Sequence, residues 1–289
     1  MVTIGIIGNG FVGKATNILK CNDITIIVYD INPELCVPLG TNLVDLCEKC
    51  DIIFISVPTP MNSDNSCYLD ILNSVVDDIS AICDLNQKIV VIRSTVPVGT
   101  TDNLNCYFMP EFLTEKNFEK DFINNRDWIF GCKGTKQDNI FKQSIVNLFE
   151  TAYNSGRIKS NNINFTLNSE AEMIKLVRNN YLSTKISFFN EINEYCNINH
   201  INFEVIRNLV VKDERIGQSH SFVPGHDGRY GYGGTCFPKD TNSLLYEMNK
   251  SGMKSYIVNA TVERNECVDR KEQDWRSNTG RAVVSKDKK

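Results

Sequence analysis

The sequence lacks an excess of basic residues, long apolar runs and any histidine spacing that would hold a metal. Its 289 residues carry 31 Lys and Arg against 35 Asp and Glu, a formal net charge of −4. This balance argues against a nucleic-acid-binding function, which usually needs a basic surface. No apolar run approaches the roughly 20 residues of a membrane-spanning helix. Because the three histidines, His200, His220 and His226, are scattered, no metal site is expected.

Cysteine is plentiful, but a pattern of cysteine pairs is absent. The 11 cysteines are odd in number and lie within apolar segments. Cys47 and Cys50 form one isolated CxxC inside a predicted helix, which indicates coincidence rather than a redox or zinc motif. The first five residues have no basic region and predict a strand instead of a signal peptide. We therefore expect free thiols and a cytoplasmic location, in the host cytoplasm if the source is a virus.

The first part of the sequence alternates strand and helix patterns. Continuous apolar runs at residues 2–7, 24–29, 51–57 and 88–92 are typical of strands buried on both faces of a parallel sheet. Weaker strand candidates lie at 105–109 and 128–131. Helical periodicity is present at residues 11–19, 69–83 and 137–153. This alternation predicts an α/β fold over residues 1–165, a Rossmann-like doubly wound parallel sheet.

The pattern becomes helical after residue 166. Ser169 and Glu172 have capping-box spacing, which predicts a long helix to about residue 196. A second helix is predicted at 203–211, and a third begins near Pro238, after a glycine-rich loop. Residues 166–270 are therefore expected to form an all-helical central domain. The polar residues 271–289 are expected to form a frayed tail.

A glycine motif follows the first predicted strand. The run Gly8-Asn9-Gly10-Phe11-Val12-Gly13 opens a predicted helix, and the second strand ends in Asp30. In this context the glycines permit a tight turn and close approach of the backbone to a pyrophosphate. Asp30 would accept from ribose hydroxyls and would repel a 2′-phosphate. The motif therefore predicts NAD in preference to NADP.

A cysteine motif lies in the second part of the chain. Cys236 follows Gly233 and Gly234, at a predicted helix start where its thiolate would be favoured. Lys239 and Asp240 follow within one helical turn, so that a nucleophile and a carboxylate are paired. On the preceding long helix, Lys175 and Asn179 are four residues apart and share a face.

Together these motifs resemble those of the UDP-glucose 6-dehydrogenases, within the nucleotide-sugar 6-dehydrogenases. Seven motifs occur in the family's order, from the first strand to about residue 266. Besides the glycine motif they are Val57-Pro58-Thr59-Pro60, Ser94-Thr95-Val96-Pro97-Val98-Gly99-Thr100, Pro110-Glu111-Phe112-Leu113-Thr114-Glu115, the Lys175/Asn179 helix with Phe189-Asn190-Glu191, Asp213-Glu214-Arg215-Ile216-Gly217, and Gly233-Gly234-Thr235-Cys236-Phe237-Pro238-Lys239-Asp240. GDP-mannose dehydrogenases carry a similar cysteine motif and remain an alternative.

The resemblance implies a four-electron oxidation of a primary alcohol to a carboxylate, with NAD as cofactor. Cys236 would form a thiohemiacetal and then a thioester, while Lys175 and Asn179 stabilise the oxyanion. Asp240, with Thr95, would activate water, and Glu115 would assist proton transfer or contact the nicotinamide. The cofactor residues implied are Gly8, Gly10, Phe11, Val12, Gly13, Asp30, Thr59, Thr95, Glu115 and Lys239. The substrate residues implied are Glu111, Phe112, Leu113, Lys175, Asn179, Arg229 and Gly233.

The sequence also departs from the family pattern. Full-length members continue into a C-terminal domain that helps bind the UDP moiety, so the resemblance implies a short form. The loop at 218–230 would either supply replacement contacts, with Arg229 and His226 reaching a phosphate, or be a longer surface loop. The resemblance also implies a homodimer through the helix at 169–196, because family members dimerise through the corresponding helix. Ile186, Phe189 and Ile192 would either line that seam or pack in the core of one chain. Two alternatives remain open: a non-catalytic NAD-binding remnant and a two-electron β-hydroxyacid dehydrogenase.

Overall fold

The computed structural model describes residues 1–285, which form two units. The first unit comprises residues 1–59 and 69–175, and the second comprises residues 60–68 and the chain from 176 onward. The division therefore falls inside the long helix, ten residues beyond the boundary that the change of pattern predicts. The last part of the predicted tail, residues 286–289, lies outside the described residues.

The first unit contains a seven-stranded sheet. Its strands are β1 (Val2–Ile7), β2 (Ile24–Tyr29), β3 (Ile52–Ile55), β4 (Ile89–Ile92), β5 (Tyr107–Phe108), β6 (Trp128–Cys132) and β7 (Ile163–Leu167), in the spatial order β2-β1-β3-β4-β5-β6-β7. All neighbours are parallel except β5 and β6, which pair antiparallel at Phe108 and Gly131. The β7 strand is absent from the prediction because this edge strand is half exposed, and polar Asn164 and Thr166 interrupt its apolar pattern.

Helices cover both faces of this sheet, as a doubly wound fold requires. They are α1 (Phe11–Thr16), α2 (Leu43–Lys49), α3 (Asp70–Ile82), α4 (Thr100–Asn103), α5 (Phe118–Ile123) and α6 (Asp138–Asn154). One core cluster joins the sheet to α1 and α6, with Ala15, Phe141 and Phe149 fully buried. The other joins it to α2 and α3 through Leu46 and Leu72. The predicted Rossmann-like fold is confirmed.

The order in which strands are added to the sheet reverses next to β1. The β1 strand pairs with β2 on one side and β3 on the other, so successive crossovers depart in opposite directions. The carboxyl ends of β1 and β3 meet there, where Gly8 and Ser56 follow the two strands. Such a switch point is where open α/β sheets bind ligands.

The long helix, α7 (Asn168–Ile198), begins differently from the prediction. Glu170, not Glu172, reaches back, and its Oε2 accepts from the Leu167 N–H at 2.9 Å. Glu172 is buried and accepts from the N–H groups of Gly99 and Thr101, at 2.6 and 2.8 Å. The predicted capping box is therefore wrong, because the Glu172 carboxylate satisfies the amides at the start of α4 instead.

The second unit is helical. It contains the rest of α7, α8 (Phe203–Val210), α9 (Phe237–Lys250) and α10 (Ile257–Arg264). Its apolar core includes Phe189, Cys196, Phe203 and Val223. The prediction of a separate helical domain is confirmed. In the part of the chain that the structure covers, no helix is long and apolar enough to cross a membrane.

The predicted frayed tail is wrong as far as residue 285. Trp275 and Ala282 are completely buried within otherwise charged sequence. Backbone pairing holds the same segment, since the Met61 N–H donates to Ala282 O at 2.9 Å and the Val284 N–H donates to Met61 O at 3.1 Å. The polar composition of this segment does not predict that Trp275 and Ala282 are buried, nor that its backbone pairs with Met61, some 220 residues earlier.

Candidate active site

The glycine motif forms a tight loop at the switch point of the sheet. Gly8 has φ +89°, and a Cβ there would lie 2.5 Å from Ser56 O. A Cβ on Gly13 would lie 2.0 Å from Gly8 O, so only glycine allows the first turn of α1 to pack against this loop. Gly10, in contrast, faces open space, because a Cβ there would meet nothing within 4 Å. This is the cradle that a pyrophosphate would fill.

Asp30 lies beside this loop, at the end of β2. Its Oδ2 accepts from the Asn9 N–H at 2.7 Å, and its Oδ1 accepts from the Asn32 N–H at 2.9 Å. A carboxylate has about four acceptor positions, so both oxygens can still accept from ribose hydroxyls. The loop and Asp30 therefore fit NAD, with Phe11 and Val12 in the first turn of α1.

Two further motif segments follow β3 and β4 and are tied to each other. The Thr59 hydroxyl donates to Thr95 O at 2.7 Å, and the Ser94 hydroxyl donates to Val57 O at 2.6 Å. Thr59 and Thr95 are both buried. These bonds hold the two segments together at the carboxyl edge of the sheet, where the cofactor loop also lies.

Lys175 and Glu111 form a buried ion pair in the same unit. Lys175 Nζ lies 2.7 Å from Glu111 Oε1, and the side chains are 3% and 6% exposed. Glu111 Oε2 accepts from the Leu113 N–H at 2.9 Å. Lys175 Nζ also lies 5.6 Å from the centroid of the Phe112 ring. Both carboxylate oxygens of Glu111 therefore have partners within the chain, and the N–H of Leu113, an implied substrate residue, is already engaged.

Arg93 is a buried cation that the sequence analysis missed. Its guanidinium donates to the Thr16 hydroxyl and to Val12 O, the latter at 3.3 Å. Burial lowers its pKa to about 10, although the nearby Glu111 carboxylate opposes this change. Arg93 therefore holds the start of α1, which follows the cofactor loop, and also lies near the Glu111 carboxylate. The residue directly precedes a motif, but nothing in its spacing indicates such contacts.

Cys236 lies immediately before α9, in the second unit. It is the residue at the helix N-terminus, and Pro238 occupies the first turn, as predicted. The thiol is partly exposed and lies 3.7 Å from the Thr235 hydroxyl. The positive end of the helix favours its thiolate.

Asp240 connects the polar residues around Cys236. Its Oδ1 pairs with Lys239 Nζ, and its Oδ2 accepts from Asn179 Nδ2 at 2.6 Å. Burial alone lowers the pKa of Lys239, but the Asp240 carboxylate and the Cys236 and Cys67 thiols outweigh it and hold that pKa above its ordinary value. Asn179, Lys239 and Asp240 thus form one polar group within this unit, with Lys239 held by Asp240.

The loop at 218–230 contacts the chain's own later residues. Arg229 pairs with Asp274 at 3.0 Å and with Glu272 at 3.6 Å. The expectation that Arg229 is free for a phosphate does not match this arrangement. Gly233, predicted as a substrate residue, instead lies against Arg270, since a Cβ there would be 2.4 Å from the guanidinium carbon.

Other predicted residues are placed as follows. Glu115 is exposed, just before α5. Cys47 and Cys50 are buried, and burial raises their pKa values to about 12 and about 11, which does not suit a redox or zinc pair. Among residues 1–285 no group of three or more potential ligands could hold a metal ion.

Comparisons with known proteins match most of the chain to one family. Residues 38–153 match the model of the UDP-glucose/GDP-mannose dehydrogenase family NAD binding domain, and residues 169–267 match that family's central domain. The chain is 28% identical over 298 residues to a UDP-glucose 6-dehydrogenase of Campylobacter jejuni, covering 91% of this chain and 72% of the relative. It is 30% identical over 236 residues to a UDP-glucose 6-dehydrogenase of Pseudomonas aeruginosa, covering 74% and 48%.

Solved structures agree on the fold. A UDP-glucose dehydrogenase of Pyrobaculum islandicum superposes with a TM-score of 0.77 at 23% identity, over 92% of this chain and 68% of that one. The chain spans about half the length of several curated relatives that it matches. The two family models together cover most of the chain, and the cofactor loop fits NAD. The chain therefore belongs to the UDP-glucose/GDP-mannose dehydrogenase family.

Proposed function

We propose that the protein oxidises the 6-hydroxyl of a nucleotide sugar to a carboxylate, with UDP-glucose as substrate and UDP-glucuronate as product. The observation that carries this proposal is the group formed by Cys236, Lys239, Asp240 and Asn179 at the start of α9. A two-electron alcohol dehydrogenation needs no nucleophile. A partly exposed thiol at a helix N-terminus, beside a lysine and a carboxylate, suits covalent capture of an aldehyde.

When bound, NAD accepts one hydride in each of the two oxidation steps. The chain's part in the first step is to remove the hydroxyl proton, for which the Lys175 and Glu111 pair supplies a base and a relay. The Cys236 thiolate then forms a bond to the aldehyde carbon. The family resemblance gives Lys175 and Asn179 the role of donating a proton or hydrogen bond to the resulting oxyanion, so that the sugar is held as a thiohemiacetal on Cys236.

Loss of the second hydride, together with the hydroxyl proton, converts the thiohemiacetal to a thioester. Water then attacks the thioester carbonyl, the carbon–sulfur bond breaks, and the Cys236 thiolate leaves. Asp240 orients this water or takes its proton, and its other partner is the Lys239 ammonium group. The sum is one alcohol, two NAD and one water converted to one carboxylate, two NADH and three protons.

The substrate is tested with a panel of nucleotide sugars. Purified protein is mixed with NAD and with UDP-glucose, GDP-mannose or UDP-N-acetylmannosamine, and NADH is followed by absorbance. The proposal expects the highest kcat/KM for UDP-glucose. A higher value for another sugar would overturn the substrate assignment. No turnover with any sugar, together with retained NAD binding, would favour a non-catalytic NAD-binding protein.

We also propose a homodimer that forms through α7, on a different face from the one the sequence predicts. Phe189 is buried in the chain's own core and Ile192 packs against it, so these two cannot form a seam between copies. Tyr181, Phe188 and Tyr195 are 61%, 58% and 61% exposed and recur every seven residues. This spacing forms one stripe along a helix, as in helices that pair with a second copy.

A further inference from the structure

A glycine loop, residues 231–234, leads into Cys236. It is held by one helical turn from a later part of the chain. The turn follows α10, and its defining bond runs from the Arg270 N–H to Asn265 O at 2.8 Å, five residues back. This π-type turn brings the side chains of Asn265 and Arg270 to the same loop. Such turns occur often at functional sites.

Asn265 fixes the first half of the loop through its amide. Its Oδ1 accepts from the Tyr232 N–H at 2.8 Å, and its Nδ2 donates to Tyr232 O at 3.0 Å. On the preceding residue, the Gly231 N–H donates to Asn190 Oδ1 at 3.1 Å. Asn265 is completely buried. The peptide groups on both sides of Tyr232 are therefore held by side chains.

Arg270 fixes the second half of the loop because its guanidinium group packs against Gly233. A Cβ on Gly233 would lie 2.4 Å from Arg270 Cζ and 2.5 Å from Nη2, so the guanidinium lies directly against this glycine. Arg270 is 2% exposed. Its Nε and Nη2 donate to the two oxygens of Asp274 at 2.5 and 2.8 Å, and Nη2 also donates to Asp227 at 2.7 Å. A two-point bond of this kind fixes the guanidinium plane.

The charge around Arg270 excludes a role in binding an anionic substrate group. Two carboxylates, Asp227 and Asp274, already accept from the guanidinium. Hydrogen bonds from Arg270 to Asp274, and then to Asp227, hold its pKa above its ordinary value. Arg270 is thus buried and already paired with two carboxylates, which suits a role in packing against the loop.

We propose that Asn265 and Arg270 are positioning residues that set the place of the Cys236 thiol through the glycine loop. The proposal rests on the function proposed above, in which Cys236 is the nucleophile. Cys236 lies only three residues beyond Gly233, and Gly234 between them has φ +76°, a conformation that a shift of Gly233 would disturb. A displacement of about 1 Å at a reacting group can reduce a rate by about 100-fold.

The test measures the reactivity of the Cys236 thiol directly. Arg270→Lys keeps the positive charge but removes the planar two-point bond. Wild type and variant are treated with iodoacetamide at several pH values, and alkylation of the Cys236 peptide is timed by mass spectrometry. Cys21, a partly exposed thiol of the first unit, is the internal reference. Arg264→Lys is the matched control, because Arg264 pairs with Glu194 and Asp269 and not with Gly233.

We expect Arg270→Lys to change the Cys236 alkylation rate by about 10-fold or more and to lower kcat with little change in the KM for NAD. Cys21 alkylation and the Arg264→Lys variant should match wild type. An unchanged Cys236 rate and kcat in Arg270→Lys would overturn the positioning role. A wild-type Cys236 that reacts no faster than Cys21 would instead contradict the proposed nucleophile.

A second variant guards against simple loss of folding. Gly233→Ala places a methyl group where the guanidinium lies, and Arg270→Ala provides space for it. The fall in kcat caused by Gly233→Ala should therefore be smaller in the Arg270→Ala background than in wild type. Equal falls in both backgrounds would show that the two residues act independently and would overturn the proposal.

Discussion

Lys175 Nζ donates to Glu111 Oε1 at 2.7 Å, across 64 residues of sequence, and both side chains are almost completely buried. Glu111 also accepts from the Leu113 N–H through its second oxygen. Each charge thus has its partner within the first unit, and neither side chain has an alternative in solvent. The same pair is therefore the proposed proton relay and a determinant of the stability of the fold.

Removing one member of this pair should be costly. Lys175→Met or Glu111→Leu alone leaves a buried charge without its partner, which typically costs about 3–5 kcal/mol. The double variant should cost less than the sum of the two, because neither member of the pair is then left buried without the other. Urea denaturation of the four proteins measures this coupling, and additive costs would contradict it. The exposed pair Lys49 and Asp45 is the control, with an expected coupling below about 1 kcal/mol.

Gly13 and Gly10 of the cofactor loop should respond differently to alanine. Gly13→Ala would place a Cβ 2.0 Å from Gly8 O and should destabilise the fold. Gly10→Ala points into open space and should leave the thermal midpoint unchanged while weakening NAD binding about 10-fold or more, because the methyl group occupies the pyrophosphate position. Calorimetric titration and thermal unfolding separate the two effects. Unchanged NAD affinity in Gly10→Ala would contradict the location of the site.

Much of the first unit could be predicted from sequence because its central strands are continuous apolar runs. β3, with the sequence Ile52-Ile53-Phe54-Ile55, is an example, since it is buried throughout. The cofactor loop and Asp30 were also predictable, because together they follow the short sequence signature of a strand–glycine loop–helix–strand unit. Contacts between distant segments were not, as in the Lys175–Glu111 pair.

The same reason explains the incorrect predictions. Glu172 has the spacing of a helix cap, yet amides some 70 residues earlier compete for its carboxylate. The sequence alone indicates that Arg229 is a free cation in a loop, yet Asp274 and Glu272 lie beside it in the fold. In both cases an unforeseen long-range partner decides the role of a charged side chain.

Replacement of Cys236 should separate binding from chemistry. Cys236→Ala is expected to retain NAD affinity and to lose formation of the carboxylate product by about 1,000-fold or more, because no thiohemiacetal can form. Calorimetric NAD titration and chromatography of the sugar products measure the two properties. Cys21→Ala, which changes a thiol of the first unit, serves as the control and should behave as wild type. Carboxylate production at the wild-type rate in Cys236→Ala would contradict the covalent scheme.

The exposed stripe on α7 should control the oligomeric state. Phe188→Asp and Tyr181→Asp place a charge on that stripe and should convert a dimer to a monomer, measured by light scattering after size-exclusion chromatography. Ile140→Asp, on the exposed side of α6, is the control and should leave the dimer intact. A monomeric wild type, or a dimer unaffected by both stripe variants, would contradict this interface.

Asp269 should make stability depend on pH. Burial raises its pKa from 3.8 to about 6, in spite of the opposing charge of Arg264. Between these values the folded state binds more protons than the unfolded state, so the free energy of unfolding should fall as pH rises from about 4 to about 6. Asp269→Asn should remove this part of the pH dependence, whereas the exposed control Asp78→Asn should retain it. Parallel pH profiles for wild type and Asp269→Asn would contradict the raised pKa.

The most direct test of the proposed function is the number of NADH molecules formed per nucleotide sugar. Purified wild-type protein is given excess NAD and limiting UDP-glucose, and the absorbance of NADH is followed to completion. The proposed scheme predicts two NADH for each UDP-glucose consumed, with UDP-glucuronate as the product. One NADH per sugar, with an aldehyde as the product, would contradict the covalent four-electron reaction.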